Sequence, residues 1–591
     1  MKRILIALFV AATLFGCKQK EKSASANPEL AKLFDQYFED RMKLYPLEAT
    51  AQGDNRYNDQ LPIDISQPFR DSVKVFYQKY LDKISAYNRE SLDENDQISY
   101  DIFKREMQMN LEGLTFKATW EIPFQQFWGL PLTMGQLGSG AGNQPFKTVK
   151  DYQNWLKRIS AFSIWADTAI SNFKAGMADG TVLPKALVVK MIPQMESMVV
   201  TDASKSLFYD PIKNMPKDFS DADKKTLTDA YTKAILTELV PTYQKLGTFL
   251  KTEYLPKART STGISAIPNG DAYYKYLVRF WTTTDKTPQE IYETGLAEVK
   301  RIRTEMEKTK NQVGFKGDLP AFFEFMKTDK QFMPFKTPKE VLDSFEHIHQ
   351  IMIPQLNKLF GRTPKTKFEI RQTEAFRAAS ASAEYNQGSE DGSRPGVFYV
   401  PILDAKTFNI TSGMESLFLH EAIPGHHYQI SLQQENTELP KFRRFAWYGA
   451  YGEGWALYTE SLGKELGLYT NPYQYMGALG DEIHRAIRLV VDVGMHTKNM
   501  TREEAIKYLM DNEAISEQGA TAEIERYMAI PAQALSYKIG ALKIRELRNK
   551  YEKSLGAKFK ISDFHDEVLK DGVMPLDVFE RKMDAWAAKQ K

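Results

Sequence analysis

The chain has 591 residues, of which 42% are hydrophobic and 26% charged, and these fractions are ordinary for a soluble globular protein. Its 78 basic and 76 acidic side chains nearly cancel and leave a formal net charge of +2. This balance gives no indication of a nucleic acid or another acidic polymer as partner, because either would favour an excess of positive charge.

Residues 1–16 are typical of a secretory signal peptide. A Lys-Arg pair precedes an apolar run over residues 4–15 that is interrupted only by Thr13. The run is shorter than the roughly 20 residues that a bilayer-spanning helix needs. It leads into Leu-Phe-Gly-Cys, which resembles the lipobox of bacterial lipoproteins with Cys17 as the lipidated residue. A plain signal peptide followed by a coincidental cysteine is the alternative. Cys17 is the only cysteine, so the chain can form no internal disulfide.

The remainder of the chain divides into a tether and one large unit. Residues 17–27 are predicted to be the lipidated cysteine and a flexible polar segment, because bulky apolar side chains are absent from it. Residues 28–591 show mostly helical periodicity, with no internal repeat and no clear linker. We therefore predict a single mainly α-helical domain, anchored by lipid to a membrane of the cell envelope outside the cytoplasm.

Three helix starts carry the sequence of a capping box, in which a Thr and a Glu three residues later satisfy free backbone N–H groups. The three threonines are Thr287, Thr337 and Thr501. Amphipathic periodicity predicts long helices after the first two and a final helix at the end of the chain. These helices are expected over residues 288–312, 340–360 and 575–589.

Strand signals are few. The clearest covers residues 396–401, where β-branched and aromatic residues stand between Gly396 and Pro401. The segment lies shortly before a histidine-rich motif, so we expect a small β-sheet near the site that this motif forms.

The histidine-rich motif at residues 420–427 reads His-Glu-Ala-Ile-Pro-Gly-His-His and contains three of the eight histidines. Neutral imidazole is a good Zn²⁺ ligand, and an adjacent carboxylate can act as general base toward metal-bound water. The motif departs from His-Glu-x-x-His, in which the two histidines lie one helical turn apart. In an unbroken helix His426 would lie about 9 Å along the axis from His420 and on another face. His427 would share the face of His420 but lie roughly 10.5 Å away.

Pro424 and Gly425 are needed if this motif is to bind a metal. Pro424 lacks the N–H that would bond to the carbonyl of His420, and its ring clashes with that carbonyl. Gly425 gives the backbone freedom to bend. A bend at these two residues could bring either His426 or His427 back beside His420. The alternative is the end of a surface helix with solvated histidines.

A third protein ligand is expected in the aromatic, small-residue stretch at 447–460, leaving the fourth position for water. Glu453 and Glu460 are seven residues apart, which is close to two helical turns, so they share one helix face. Carboxylates on an otherwise apolar helix are costly to bury unless they are paired or bind a metal. Both glutamates are therefore candidate ligands, and pairing with Arg443 or Arg444 is the alternative.

The motif His-Glu-x-x-Pro-Gly-His-His-x-Gln at residues 420–429 closely resembles the bacterial family known as domain of unknown function 885 (DUF885). This family is grouped with the zinc peptidases of the gluzincin clan. The resemblance covers essentially all of the mature chain. Its other segments are residues 270–306, 453–460, 488–496 and 525–540.

The resemblance implies a large helical zinc-peptidase-like fold with a deep cleft. The wider clan includes angiotensin-converting enzyme, thimet oligopeptidase and the Taq-type carboxypeptidases, whose core ends in Gly-His. Alignment with that core makes the present motif a two-residue insertion. The resemblance thereby favours His420, His426 and Glu453 as ligands of one Zn²⁺ ion over the alternatives His427 and Glu460.

The implied activity is hydrolysis of a peptide substrate, in which Glu421 assists the attack of metal-bound water on the scissile carbonyl. In the clan, a side chain from a later helix stabilises the oxyanion. Tyr537 is the first candidate here, followed by Arg526 and His496. Each also has a structural interpretation: Tyr537 could pack in the core with its hydroxyl bonded, and His496 could belong to an ion-pair face of its helix.

Two other functions remain open. One is a zinc amidase or esterase that acts on a non-peptide substrate, since the metal and the base would be the same. The other is a binding lipoprotein that keeps the fold without turnover. The presence of Glu421 beside the candidate ligands speaks against a purely binding role.

Overall fold

The structure, a computed structural model, describes residues 25–373, 382–389 and 394–591. The predicted signal peptide and the predicted lipidation site, Cys17, lie outside these described residues. In the described ranges, no helix combines the length and the apolar character needed to cross a bilayer.

The described residues are mainly helical, as predicted. The first helices along the chain are α1 (Pro28–Leu44), α2 (Pro46–Ala51), α3 (Gln67–Ser85), α4 (Glu94–Gly113), α5 (Ala118–Glu121), α6 (Leu130–Gly138), α7 (Val149–Asp179), α8 (Lys185–Glu196) and α9 (Asp210–Lys213). The next are α10 (Asp221–Ala234), α11 (Val240–Phe249), α12 (Gly270–Thr282), α13 (Pro288–Gln312), α14 (Leu319–Thr328) and α15 (Pro338–Leu359). Two π-helical segments, Ile235–Leu239 and Leu250–Tyr254, flank α11.

The helices that follow the sheet form the C-terminal third of the chain. They are α16 (Met414–Glu421), α17 (His426–Glu435), α18 (Lys441–Arg444), α19 (Gly449–Glu460), α20 (Pro472–Thr497), α21 (Arg502–Asn512), α22 (Glu517–Ala529), α23 (Ser536–Leu555), α24 (Ile561–Leu569) and α25 (Leu576–Gln590). The predicted final helix is therefore confirmed as α25, within one residue at each end.

The predicted capping boxes are present at two of the three sites. Thr287 and Thr501 each make the reciprocal pair of hydrogen bonds with the glutamate three residues later. The prediction of a full box at Thr337 was wrong. Its hydroxyl accepts from the backbone N–H of Glu340, but the Glu340 carboxylate accepts from the backbone of Lys336 instead. Only one half of the exchange forms because the carboxylate reaches a free N–H one residue earlier.

The predicted strand at 396–401 is confirmed as the centre of a small sheet. The strands are β1 (Phe368–Gln372), β2 (Glu384–Asn386) and β3 (Gly396–Val400), in the order β1-β3-β2. β1 runs parallel to β3, and β2 runs antiparallel to it. β3 is buried along nearly its whole length because it is paired on both edges.

Buried apolar side chains form two large clusters, and α20 contributes to both. Leu489 and Val493 belong to the cluster built with α1, α3, α4 and the C-terminal helices. Val490 and Val491 belong to the cluster built with α7, α8, α10 and α11. α13 packs along α20 and covers a further side of it. A long helix held from several sides in this way is a rigid support for the polar residues that it carries.

α19 and α23 cross at two glycines. A Cβ atom added to Gly540 would lie 1.7 Å from the carbonyl oxygen of Ala450, and one added to Gly454 would lie 2.5 Å from the Cα of Gly540. The two backbones therefore touch, and no side chain fits between them. This close approach brings Glu453 on α19 next to the first turn of α23, which carries Tyr537.

Candidate metal centre

A break in the helix separates the histidines of the motif. α16 ends at Glu421 and α17 begins at His426. Gly425 lies so close to the end of α16 that an added Cβ would be 1.9 Å from the carbonyl oxygen of His420. Only glycine fits at this contact. The carbonyl of Pro424 accepts a hydrogen bond of 2.8 Å from the indole of Trp455, which ties the break to α19.

The bend places His420 and His426 side by side. Their ring centroids are 4.8 Å apart and the rings are perpendicular, at 89°. An oxygen of Glu453 lies 3.5 Å from Nε2 of His420 and 3.3 Å from Nε2 of His426. Glu421 joins the two histidines in a group whose potential ligand atoms all lie within 4.8 Å of one another. Two imidazoles and two carboxylates thus converge in one buried place.

The donor atoms fit a zinc ion in type and spacing. Ligand atoms arranged tetrahedrally around zinc at about 2.0–2.1 Å lie roughly 3.3–3.4 Å from one another. The two nitrogen–oxygen distances at Glu453, 3.5 and 3.3 Å, are of this size. They exceed the usual N–H···O hydrogen-bond range of about 2.7–3.2 Å. Neutral imidazole and carboxylate are also the donors that catalytic zinc sites use.

Glu460 contacts the opposite edge of the His420 ring. Its carboxylate lies 2.7 Å from Nδ1 of His420, and the side chain is only 6% exposed. A hydrogen bond donated by Nδ1 to this carboxylate fixes the ring orientation and leaves the Nε2 lone pair directed at the cluster. The two glutamates of α19 therefore serve different purposes: Glu453 meets both histidines, and Glu460 orients one of them.

The carboxylates make the cluster favourable for positive charge. Burial lowers the pKa of His420, but Glu453 and Glu460 outweigh it and raise the pKa to about 10. Burial raises the pKa of Glu453, but the charges of His426 and His420 outweigh it and hold the pKa well below its ordinary value. A cation between these groups would take the place of the proton that they favour.

Glu421 is the remaining acid of the cluster. Burial raises the pKa of its carboxyl group, and the nearby charge of Glu453 acts in the same direction, while His420, His426 and Arg485 oppose the increase. A carboxylate with a raised pKa beside a candidate metal site is suited to accept a proton near neutral pH.

His427 points away from the cluster and toward the sheet. Its Nδ1 lies 3.0 Å from the hydroxyl of Tyr385 on β2, and its ring packs on Phe368 of β1 with centroids 4.9 Å apart. Burial lowers its pKa to about 4, so the ring is neutral. The structure therefore brings His426 to Glu453 and uses His427 to join α17 to the sheet.

Tyr537 lies beside the cluster. Burial raises the pKa of its phenol, and the charge of Glu453 acts in the same direction. Arg526 acts on the same phenol, and its guanidinium is held by hydrogen bonds to Gln533 at 2.8 Å and Glu523 at 3.2 Å. Of the three candidates for oxyanion stabilisation, Tyr537 is thus the one whose phenol is affected by the charge of Glu453, and Arg526 acts on the same phenol.

His496 is not brought to the cluster. Its Nδ1 accepts a hydrogen bond of 3.0 Å from the backbone of Ile264, and its Nε2 donates one of 3.0 Å to the carbonyl of Tyr527. The side chain is fully buried, and burial lowers its pKa to about 3. Both ring nitrogens are hydrogen-bonded to backbone groups, so His496 on α20 ties this helix to the segment at Ile264 and to Tyr527 on α22.

Sequence reasoning missed two residues near the cluster. The ring of Trp447 lies 5.8 Å from that of His426 and lines a cavity of about 380 Å³ with other aromatic residues. Arg485 lies close enough to Glu421 to lower its pKa against the effect of burial. A signal existed for Arg485, because it stands three residues before Arg488 on the same face of a helix.

The fold and the site define a class: mainly helical proteins that hold a buried group of two histidines and two glutamates at a helix break. The chain belongs to the family described as "Bacterial protein of unknown function (DUF885)", whose sequence profile matches residues 46–583.

The solved structures that are similar to this chain include two bacterial proteins. One is described as the putative lipoprotein from Colwellia psychrerythraea; it is 28% identical, with a TM-score of 0.88, over 95% of this chain and 99% of that one. The other is described as a putative lipoprotein of unknown function from Shewanella oneidensis; it is 20% identical, with a TM-score of 0.73, over 94% of this chain and 99% of that one. The second likeness concerns the fold alone. No curated protein matches the chain significantly.

Proposed function

We propose that this chain is a zinc-dependent hydrolase that cleaves peptide bonds. The observation that carries the proposal is the convergence of His420 and His426 on one oxygen of Glu453, at 3.5 and 3.3 Å, with Glu421 alongside. Buried imidazoles and carboxylates meeting at ligand spacing are expensive to maintain unless a cation or a proton neutralises them.

His420, His426 and Glu453 would hold the zinc ion, with Glu460 fixing the ring of His420. Zinc, when bound, supplies Lewis acidity that polarises a carbonyl oxygen and lowers the pKa of a water molecule. With three protein ligands the site would be of the catalytic kind, which leaves room for substrate and water.

Glu421 moves the proton. Its carboxylate accepts a proton from the water that attacks the scissile carbonyl and then passes it to the leaving amine. The raised pKa that burial gives this group brings its proton affinity closer to the neutral range, where both transfers are feasible.

Tyr537 stabilises the oxyanion. Burial and the charge of Glu453 raise its pKa, so the phenol keeps its proton at neutral pH and can donate it in a hydrogen bond. The crossing of α19 and α23 holds Tyr537 in register with the ligand Glu453, which gives the preorganisation that such a donor requires.

The aromatic cavity beside Trp447 offers a place for substrate side chains. Trp447 is 46% exposed, although its ring also packs near His426. The other aromatic residues of the cavity are Tyr37, Phe38, Phe280, Trp281, Phe442, Phe445 and Tyr448. The same cavity is also lined by Arg41, Glu48, Arg105 and Glu106. A partly aromatic, partly charged cavity next to Trp447, whose ring lies near His426, offers room for a substrate side chain.

We also propose that the protein is lipid-anchored in the cell envelope. The Leu-Phe-Gly-Cys sequence ending at Cys17 supports this, as does the likeness to the structure described as a putative lipoprotein. Replacing Cys17 with alanine should stop incorporation of a labelled fatty acid and release the protein from the membrane fraction. A Cys17→Ala protein that still carries the label would contradict the anchor.

The hydrolase proposal is tested by metal analysis of the purified mature chain and by digestion of a mixed peptide library, read by mass spectrometry. We expect stoichiometric zinc and cleavage of peptides. The Glu421→Gln protein should retain zinc and lose roughly 10²–10⁴-fold in rate, because the proton acceptor is gone.

Glu503→Gln, a change at a surface carboxylate that is 76% exposed, is the matched control and should leave the rate unchanged. A zinc-loaded wild-type protein that cleaves no peptide would refute the peptidase assignment. A rate unaffected by Glu421→Gln would refute the role of Glu421.

A further inference from the structure

Two arginines lie against the ring of Tyr537, and a third, Arg526, shares Glu523 with one of them. The guanidinium carbons of Arg488 and Arg485 lie 4.7 and 5.9 Å from the centroid of its ring. Both of them, and Arg526, lower the phenol pKa, although burial has the larger and opposite effect. Positive charge therefore lies next to the proposed oxyanion donor.

Arg488 is held by several hydrogen bonds, and one of its guanidinium nitrogens has no partner in the described part of the chain. Its Nε donates to the hydroxyl of Tyr527 at 2.9 Å, and its Nη2 lies 3.1 Å from Glu523 and 3.0 Å from a ring nitrogen of His484. The residue is only 6% exposed. Its Nη1 is buried and has no hydrogen-bond partner among the residues that the structure describes. A buried donor without a partner is costly, so an unfilled acceptor position next to it points to a ligand.

Arg485 lies one turn earlier on α20 and is less constrained. Its guanidinium is 3.9 Å from an oxygen of Asp481, which is at the limit of an ion pair, and the side chain is 20% exposed. The other oxygen of Asp481 contacts the hydroxyl of Ser416. In the described part of the chain, Nε of Arg485 is likewise buried without a partner.

The acidic groups nearby do not neutralise these arginines. Glu523 is shared by Arg488, Arg526 and His484, at 3.1, 3.2 and 3.3 Å. Asp481 faces Arg485 only at long range. Glu523 is thus divided among three cationic or potentially cationic groups, and Arg485 and Arg488 each keep a buried N–H group without an anionic partner in the described part of the chain. A ligand that completes this group carries negative charge.

We infer that Arg485 and Arg488 form a subsite for a carboxylate of the substrate, immediately beside the scissile bond; this inference rests on the proposed function. Guanidinium N–H groups bind carboxylates through charge-assisted hydrogen bonds. The C-terminal carboxylate of a peptide lies about one residue, roughly 3.8 Å, from the last scissile carbonyl. The guanidinium groups lie 4.7 and 5.9 Å from the ring of Tyr537, the proposed oxyanion donor, so a carboxylate held by them lies about one residue from the scissile carbonyl, and the chain releases single C-terminal residues. An acidic side chain next to the bond is the second source of the same chemical group.

The test uses the zinc-loaded mature chain and the shortest peptide that it cleaves in the mixed digestion. The peptide is made as the free acid, as the C-terminal amide, and as an amide with a glutamate next to the cleaved bond. For the wild type, kcat/KM should be roughly 100-fold higher for the free acid than for the plain amide. Recovery of cleavage with the glutamate-containing amide would support the carboxylate subsite and assign its ligand to an acidic side chain.

Arg485→Gln identifies the residue responsible. It should lower kcat/KM for the free acid by roughly 100-fold and change the plain amide by less than about threefold, since only the acid carries the charge. Arg303→Gln, at a partly buried arginine whose guanidinium binds the carbonyl of Asp511, is the matched control and should keep the preference for the acid. Equal cleavage of acid and amide by the wild type would overturn the inference while leaving the hydrolase proposal intact.

A binding measurement does not depend on turnover. N-acetylphenylalanine and its amide are titrated into the zinc-loaded Glu421→Gln protein by calorimetry. The acid should bind at least about tenfold more tightly, and Arg485→Gln should abolish that difference, which excludes direct ligation of zinc as its cause. If no peptide is hydrolysed but this difference is present, the proposed activity fails and the subsite stands. If Arg485→Gln leaves the difference unchanged, the subsite is refuted.

Discussion

Adjacent histidines at the helix break have different contacts. His426 meets Glu453, whereas the next residue, His427, meets Tyr385 and Phe368 of the sheet. Consecutive residues at the start of a helix point about 100° apart. Two neighbouring side chains can therefore reach different surroundings, here the polar cluster and the small β-sheet. The two side chains therefore contribute to separate properties, and single substitutions can distinguish them.

We predict that His426→Ala loses stoichiometric zinc, because two of the three protein ligands cannot hold the ion. His427→Ala should keep zinc and lose about 1–3 kcal/mol of unfolding free energy, since the hydroxyl of Tyr385 is left without its partner. Metal analysis and urea unfolding measure the two effects. The opposite pattern, with zinc lost only in His427→Ala, would contradict the assignment.

In the proposed zinc site, Glu460 would act on the metal through His420, whose Nδ1 it contacts at 2.7 Å. We predict that Glu460→Gln weakens zinc binding by roughly 10–100-fold, because the amide orients the imidazole less strongly than the carboxylate does. Competition with a chelator measures the affinity. Glu465→Gln, a change at a nearby glutamate that pairs with Arg548, serves as control and should bind zinc like the wild type. An unchanged affinity in Glu460→Gln would remove Glu460 from the metal centre.

At the scale of elements, the site depends on where helices cross. α19 supplies Glu453 and α23 supplies Tyr537, and both helices belong to the cluster that also contains α16. Their contact at Gly454 and Gly540 sets the distance between the two side chains. A helix crossing without intervening side chains leaves little freedom to slide, because the packed interior does not deform continuously.

We predict that Gly540→Ala costs more than about 3 kcal/mol of unfolding free energy, because the new methyl group would lie 1.7 Å from the carbonyl oxygen of Ala450 and the helices must separate. The rate should fall as well, since Glu453 and Tyr537 move apart.

Gly480→Ala is the control: nothing lies within 4 Å of its added Cβ. That change should be neutral or stabilise the helix by up to about 1 kcal/mol. Thermal and urea unfolding would show equal losses in the two variants if the crossing were unimportant.

At the scale of the whole molecule, buried neutral histidines make the fold sensitive to acid. Burial lowers the pKa of His496 and His565 to about 3, and that of His427 to about 4, from an ordinary value of 6.5. The unfolded chain therefore binds protons below about pH 6.5 that the native chain does not bind. Stability from these residues is present above that pH and is lost as the pH falls.

His496 allows this effect to be isolated, because its two ring nitrogens contact backbone groups and not the candidate metal centre. We predict that between pH 7 and pH 5 the wild type loses about 2 kcal/mol more unfolding free energy than His496→Gln, which has no group to titrate at this position. The glutamine variant should be the less stable protein at pH 7, and the gap should narrow at pH 5. Urea unfolding at the two pH values measures the difference in unfolding free energy between the two proteins. A difference that stays the same at both pH values would mean that His496 is protonated in the native state.

Much of the local structure was predictable. The capping sequence at Thr287 predicted helix α13, and the alternation of residues at 396–401 predicted β3, because both signals depend on neighbours in the chain. The same reasoning identified Pro424 and Gly425 as a necessary break. It failed for the second half of the box at Thr337, where a competing backbone N–H lies one residue away.

The sequence by itself determined the helical class, the helix break and the set of residues that could bind a metal, since each follows from local periodicity or local sterics. Only the tertiary structure decided that His426 faces Glu453, that Glu460 supports the far side of His420, and that Arg485 stands nearby. These partners are separated by 27 to 64 positions in the chain. Their meeting depends on how the helices cross, which is set by packing among distant residues and not by any local pattern.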